Sequence, residues 1–235
     1  MRFLRMDIVN NAWNLLRSVK LSIRIGGIPL HRIIAGAIAI VVLLGLSGPA
    51  SAQSSYRYPE KTVLSNYDEA VFFFGGQFHK DWFVDSLSPW AVTWDDTTLV
   101  AAGYQKTWLD WKDLRIGGEV GVAGRFGSNA ASAELWAAIY ARYDGFVAGN
   151  FRFTPLFSIG ISYATGSQGY EQQRMNEWGR NQPILVYLGP EFAFSLVDQP
   201  QWEVFTRFHH RSGAYGLIAD LDASNAVTAG VRYKF

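Results

Sequence analysis

The chain ends in NAVTAGVRYKF, Asn225 to Phe235, and the reading of this stretch decides the fold. In an extended chain successive side chains point to opposite faces. Val227, Ala229, Val231, Tyr233 and Phe235 then share one face, and Thr228, Gly230, Arg232 and Lys234 share the other. One face is wholly apolar and the other carries two cations. That contrast suits a strand standing between lipid and a polar lumen.

Working back from this strand, the same period of two recurs. Candidate strands are 68–80, 97–108, 113–126, 132–144, 150–165, 182–197, 201–213 and 225–235, eight in all. Several are about the length that crosses a bilayer at a tilt. The connections differ in length. Residues 81–96, 166–182 and 214–224 are long and 127–131 modest, whereas 109–112, 145–149 and 198–201 are short. Long loops at one end and tight turns at the other are the pattern of outer-membrane barrels. The expected fold is all-β, an eight-stranded antiparallel transmembrane β-barrel with both termini in the periplasm. Trp82, Trp108, Trp111, Trp136, Trp178 and Trp202 fall mostly near the proposed strand ends, where a membrane interface favours aromatics. A terminal Phe235 with Tyr233 two residues earlier resembles the carboxy-terminal assembly signal of bacterial outer-membrane proteins. No sustained helical period is read after Gln53.

Composition bounds the rest. The 235 residues are 49% hydrophobic and 15% aromatic, with no cysteine, so disulfides and thiolate metal sites play no part. The net charge of +1 conceals an asymmetry. Residues 1–52 hold six of the 21 basic residues and one of the 20 acids, leaving 15 basic and 19 acidic residues beyond, a net of −4. No basic surface for nucleic acid survives there. A basic lead ending at Arg32, the run IIAGAIAIVVLLGLSG, and then PASAQ with Ala50 and Ala52 read as a signal peptide cleaved after Ala52. Because the lead is long, the true start lies at Met1 or downstream of it. The expected organisation is a signal peptide at 1–52 and an outer-membrane barrel at 53–235.

The chemistry-bearing stretch is RFHHRSGAYGL, starting at Arg207. On its strand Trp202, Val204, Thr206, Phe208, His210 and Ser212 share the face that should meet lipid. Glu203, Arg207, His209 and Arg211 suit the lumen. A histidine and a serine on the lipid side are costly unless they act or sit at headgroup level. Residues i and i+2 of a strand lie roughly 6.5–7 Å apart on one face. A histidine there can take the proton of a serine, which becomes a nucleophile for acyl transfer. The bland alternative is a polar outer rim.

HHRSGAYGL on the penultimate strand, followed by SNAVTAGVRYKF, resembles the PagL-like lipid A deacylase (acyloxyacyl hydrolase) family. The resemblance is clearest over about the last thirty residues. It implies an eight-stranded outer-membrane barrel that hydrolyses the ester-linked 3-O acyl chain of lipid A without a cofactor. It also implies His210 as base and Ser212 as nucleophile on the lipid-facing side. Two positions depart from the family pattern. Gly213 stands where the family commonly has asparagine, and its backbone N–H is the expected oxyanion donor. Asn225 stands where the family has an acid that orients the histidine; Asp222 or Asp220 could substitute if their loop folds back, although simple alternation points both the other way. The implied partners are lipid A or lipopolysaccharide and the outer membrane, with the protein a monomer or homodimer.

The remaining polar residues have bland readings. His79 is expected at the rim, and Glu119, Glu134 and Arg142 in lumen ion pairs, since eight strands enclose a space that side chains fill. Asp95 and Asp96 suit loop solvation or a weak cation site. No cluster has zinc-ligand spacing. Two further functions remain open at this point: a non-enzymatic structural or adhesion barrel, and a lipid A acyltransferase barrel.

Overall fold

The computed structural model describes residues 67–235, together with a two-residue ladder pairing Arg24–Ile25 with Ile28–Pro29. The expected leader at 1–52 lies otherwise outside the described residues. The described strands are β1 (Glu69–His79), β2 (Trp94–Trp111), β3 (Leu114–Phe126), β4 (Ser132–Tyr143), β5 (Phe151–Ala164), β6 (Ile184–Leu196), β7 (Trp202–Ser212) and β8 (Asp222–Lys234). Each pairs antiparallel with its chain neighbour, and β8 pairs with β1, so the sheet closes and no edge is left. A three-residue strand, Phe146–Ala148, extends the β4–β5 turn by folding back on the start of β5.

The distribution of polarity is inverted relative to a water-soluble barrel. Phe73, Val100, Val120, Leu135, Ile139, Ile159, Ile161, Phe194, Val204 and Val231 stand exposed on the outside. Inside are Glu119, Arg125, Glu134, Arg142, Glu191, Glu203, Arg207, Arg211 and Arg232, all buried. A closed sheet satisfies its own backbone, which is what hydrocarbon demands, and an apolar outer surface is what hydrocarbon rewards. The protein is a transmembrane β-barrel of the bacterial outer membrane. Short turns mark its periplasmic end and long loops its outer end.

Two tiers of charge fill the lumen. In the lower tier Arg207 bridges Glu119 (2.8 Å) and Glu191 (2.7 Å), Arg232 bridges Glu191 and Glu203 (both 2.7 Å), and Lys234 reaches Glu203 (2.8 Å). Arg142 joins Glu203 to Asp144 below. In the upper tier Glu171 pairs with both Arg125 and Arg211, while Glu134 accepts from His209 at 2.9 Å. Aromatic rings of Phe72, Phe74, Trp136, Tyr187 and Phe205 pack around the guanidinium of Arg207 and the ring of His209. Trp136 therefore does not belong to an interface belt. It points inwards and donates to Glu119 at 2.8 Å. The reason is parity: on β4 the odd positions face outwards, and residue 136 is even.

The long polar loop after β5 holds a helix that the strand-period reading passed over, α1 (Gly169–Trp178). Glu171, Met175 and Trp178 form its inner face at helical spacing. Met175 packs with Leu185, Ala219, Leu221 and Ala223, and Trp178 lies against them, closing the outer mouth. Asp95 on β2 accepts the N–H of Tyr170 at 2.8 Å and so caps the helix start. This is the role of a residue expected to be solvated in a loop. Gly169 has φ 45°, and a Cβ there would lie 2.0 Å from the Asp95 carboxylate, so the cap requires glycine. Gly179, with φ 75°, ends the helix by donating to Asn176 and Met175. Gly179 and the Glu171–Met175–Trp178 spacing were the available signals. Six polar residues among the ten leave the helix almost no apolar contrast.

Candidate functional site

The expected site lies at the outer end of β7 and β8. His210 pairs with Asn225 on β8 and with Leu188 on β6, and Ser212 pairs with Val186. Their alternate neighbours His209 and Arg211 are inside, bound to Glu134 and Glu171. His210, Ser212 and Asn225 are therefore on the outward face together. His209 is a lumen residue.

The imidazole of His210 is held at one nitrogen. Its Nδ1 lies 2.5 Å from Asn225 Oδ1. Asn225 Nδ2 donates to the Asp81 carbonyl at 2.9 Å and approaches both oxygens of Asp222 at 3.5 Å, which fixes the amide's orientation. An amide oxygen only accepts, so Nδ1 carries the proton. Nε2 is left with its lone pair, the tautomer a general base needs. No hydrogen bond joins Nε2 to the Ser212 hydroxyl here.

Alternation alone points Asp222 away from His210, and the structure corrects this. Between Arg211 and Ser212 the β7–β8 register slips: Arg211 faces Ser224 whereas Ser212 faces Asp222. The extra residue, Ala223, packs into the mouth cluster. Such a bulge changes the phase of the strand beyond it. It turns Asp222 outwards, with Oδ1 3.7 Å from His210 Nδ1. Asp220 makes no contact with the ring. Arg174 of α1 steadies Asp222, donating to its carbonyl at 2.6 Å and lying 3.5 Å from its carboxylate.

Gly213 is placed differently from expectation. Its N–H is already engaged, donating to the Leu221 carbonyl at 2.7 Å. In this conformation it is no oxyanion donor. Glycine is needed there because a Cβ would lie 1.8 Å from the Ala219 carbonyl oxygen.

Sequence reasoning did not foresee what covers the site. The connection after β1 turns back down the outside of the wall, where Phe83–Leu87 forms a 3-10 helix. Phe83 lies against His210 with ring centroids 4.3 Å apart and the planes tilted by 34°, and the histidine is 5% exposed. Ser86, buried, lies 2.8 Å from His79 Nε2. His79 is thus at the outward rim as expected, but beneath this segment. On the β6 side the wall remains apolar: Val186 beside Ser212, with Ile161 next on β5. Among the described residues no group of histidines and carboxylates could hold a metal ion.

No family model matches this chain, and no curated protein does. Solved structures similar to it include the outer membrane enzyme PagL, at 15% identity and TM-score 0.46, covering 71% of this chain and 99% of that one. Neisserial surface protein A is similar at 14% identity and TM-score 0.42, covering 72% and 97%. A de novo designed transmembrane β-barrel is similar at 14% identity and TM-score 0.41, with the same coverages.

Proposed function

We propose that the protein is a lipid A deacylase that hydrolyses an ester-linked acyl chain at the outer leaflet. The observation that carries this reading is the His210 ring. It is held through Nδ1 by Asn225 on the outward face, two residues from a serine on that face. A lumen pair would never meet a lipid. The reading also rests on the resemblance of HHRSGAYGL and the last strand to PagL-like deacylases.

In the proposed reaction Ser212 Oγ attacks the ester carbonyl while His210 Nε2 takes its proton. The tetrahedral intermediate collapses, and the protonated imidazole gives that proton to the departing sugar hydroxyl. Water, deprotonated by the same nitrogen, then releases the fatty acid and regenerates Ser212. Asn225 holds the ring, and Asp222 supplies the negative charge that an asparagine lacks. The Gly213 N–H serves the oxyanion by leaving the Leu221 carbonyl. The Ser212–His210 hydrogen bond forms as substrate settles; catalytic hydrogen bonds often tighten only in the substrate complex.

Lipid A from cells expressing the protein, compared with cells expressing Ser212→Ala, tests this by mass spectrometry. Loss of one hydroxyacyl mass with the unmodified protein only is the expected result. A non-enzymatic barrel is the second reading, favoured by the Phe83 ring lying over His210 and the engaged N–H of Gly213. It predicts no change in lipid A, and a gain in mass would indicate an acyltransferase.

A further inference from the structure

The segment that covers His210 has a second face. Most of its polar groups turn to the wall or to one another, although Asp85 is exposed. The Asp81 carbonyl accepts from Asn225, Ser86 meets His79, and Thr93 donates to Asp81 while its carbonyl accepts from Lys80. The single charged residue of 82–90, Asp85, accepts the N–H of Trp82 at 3.1 Å. The opposite side presents Trp82, Val84, Leu87 and Trp90, exposed by 69, 66, 55 and 83%. Four large apolar side chains exposed within nine residues are a concentration that a water-facing loop seldom carries.

The position of the patch says what meets it. On the outside of β1 and β2 the apolar belt gives way to Gln77, His79, Asp96 and Thr98, so the hydrocarbon boundary passes there. The 3-10 helix packs against His79 at that boundary, and its large apolar side chains stand exposed there. Tryptophan and aliphatic side chains facing away from a polar underside are the composition of a segment lying in the headgroup–acyl boundary. We propose that residues 82–90 are a wedge seated in the outer leaflet. Its apolar face contacts lipid, and its underside seals His210 and His79 from above. A lipid substrate would then reach Ser212 only from the β6 side. This inference concerns membrane contact and stands whether or not the protein is an enzyme.

The chain has no cysteine, so single-cysteine labels can be placed cleanly. Val84→Cys and Leu87→Cys, each carrying an environment-sensitive fluorophore, are refolded into phosphatidylcholine vesicles in which some lipids bear a nitroxide at a shallow acyl position. The references are Val100→Cys on the lipid face and Ser128→Cys in the exposed loop 127–131. Heat-modifiable migration confirms folding of each variant. Expected are blue-shifted emission and lipid quenching as strong as at Val100, with little quenching by iodide. Iodide quenching equal to that at Ser128 would overturn the wedge. Shielding from both quenchers would overturn it too, because it would indicate a second copy of the chain on this face.

Discussion

The carboxylate of Asp222 stands 3.7 Å from His210 Nδ1 because β8 accommodates one residue more than β7 opposite Arg211. The bulge joins on one outward face the two features that an orienting acid normally combines. Asn225 supplies the hydrogen bond and Asp222 the charge. If that division operates, Asp222→Asn keeps the ring in place and lowers the deacylation rate about tenfold, near 1.4 kcal/mol of barrier. Asn225→Ala removes the orienting bond and should cost at least as much. Initial rates on purified lipopolysaccharide measure both. Equal activity of Asp222→Asn and the unmodified protein would remove the carboxylate from the mechanism.

Ser212→Ala should abolish deacylation if Ser212 Oγ forms the acyl-enzyme, since the other serine close by, Ser86, is buried against His79. His210→Asn should match it, and the double variant should be no worse than either, because members of such a unit are not additive. All three should keep heat-modifiable migration, for the ladder and apolar belt are untouched. A folded Ser212→Ala protein with full activity would end the proposal that this serine carries the reaction.

Glu171 joins α1 to the lumen by pairing with Arg125 and Arg211. Glu171→Ala leaves two buried guanidiniums short of a partner, a change that costs about 3–5 kcal/mol. The expected outcome is a lower temperature for loss of the compact gel form. Protease should also cut 166–182 more readily as the helix leaves the mouth.

Gly213→Ala tests the backbone approach. A Cβ at 1.8 Å from the Ala219 carbonyl forces the 214–221 loop away, breaking the Gly213–Leu221 hydrogen bond. Overpacking of this kind costs about 1–3 kcal/mol. The barrel should still form, while limited proteolysis should open this loop; unchanged protection would show that the loop yields freely.

At the periplasmic end Asp144 is buried, which by itself raises its pKa, but Arg142 and Lys234 outweigh this and hold it below the ordinary carboxylate value. A lowered folded-state pKa gives stability that is complete above the unfolded value and is lost as pH falls through the folded one. The thermal transition should therefore not change on this account down to about pH 4, and should fall below it. Asp144→Asn should flatten that acid limb; an acid limb of unchanged slope would remove Asp144 as its source.

The sequence by itself determined the barrel. Period-two alternation fixes which residues meet lipid and which meet the lumen, and loop lengths fix which end is which; both are local properties of the chain. For the same reason His210, Ser212 and Asn225 could be set on one outward face, and His209 on the other, from parity alone. Parity could not carry the reading past the bulge at Ala223. Whether a strand absorbs an extra residue depends on its partner's register and on a hydrophobic pocket made by Met175, Leu185 and Leu221 from other elements. Nor could it show that Gly213 has its N–H engaged, that Asp95 caps a helix 75 residues away, or that Phe83 lies on His210. The first closes a loop on itself, and the other two are contacts between loops and a wall distant in sequence. Tertiary packing decides all three, and the last follows from the closure of the barrel, which brings β8 beside β1 and lays the next connection over His210.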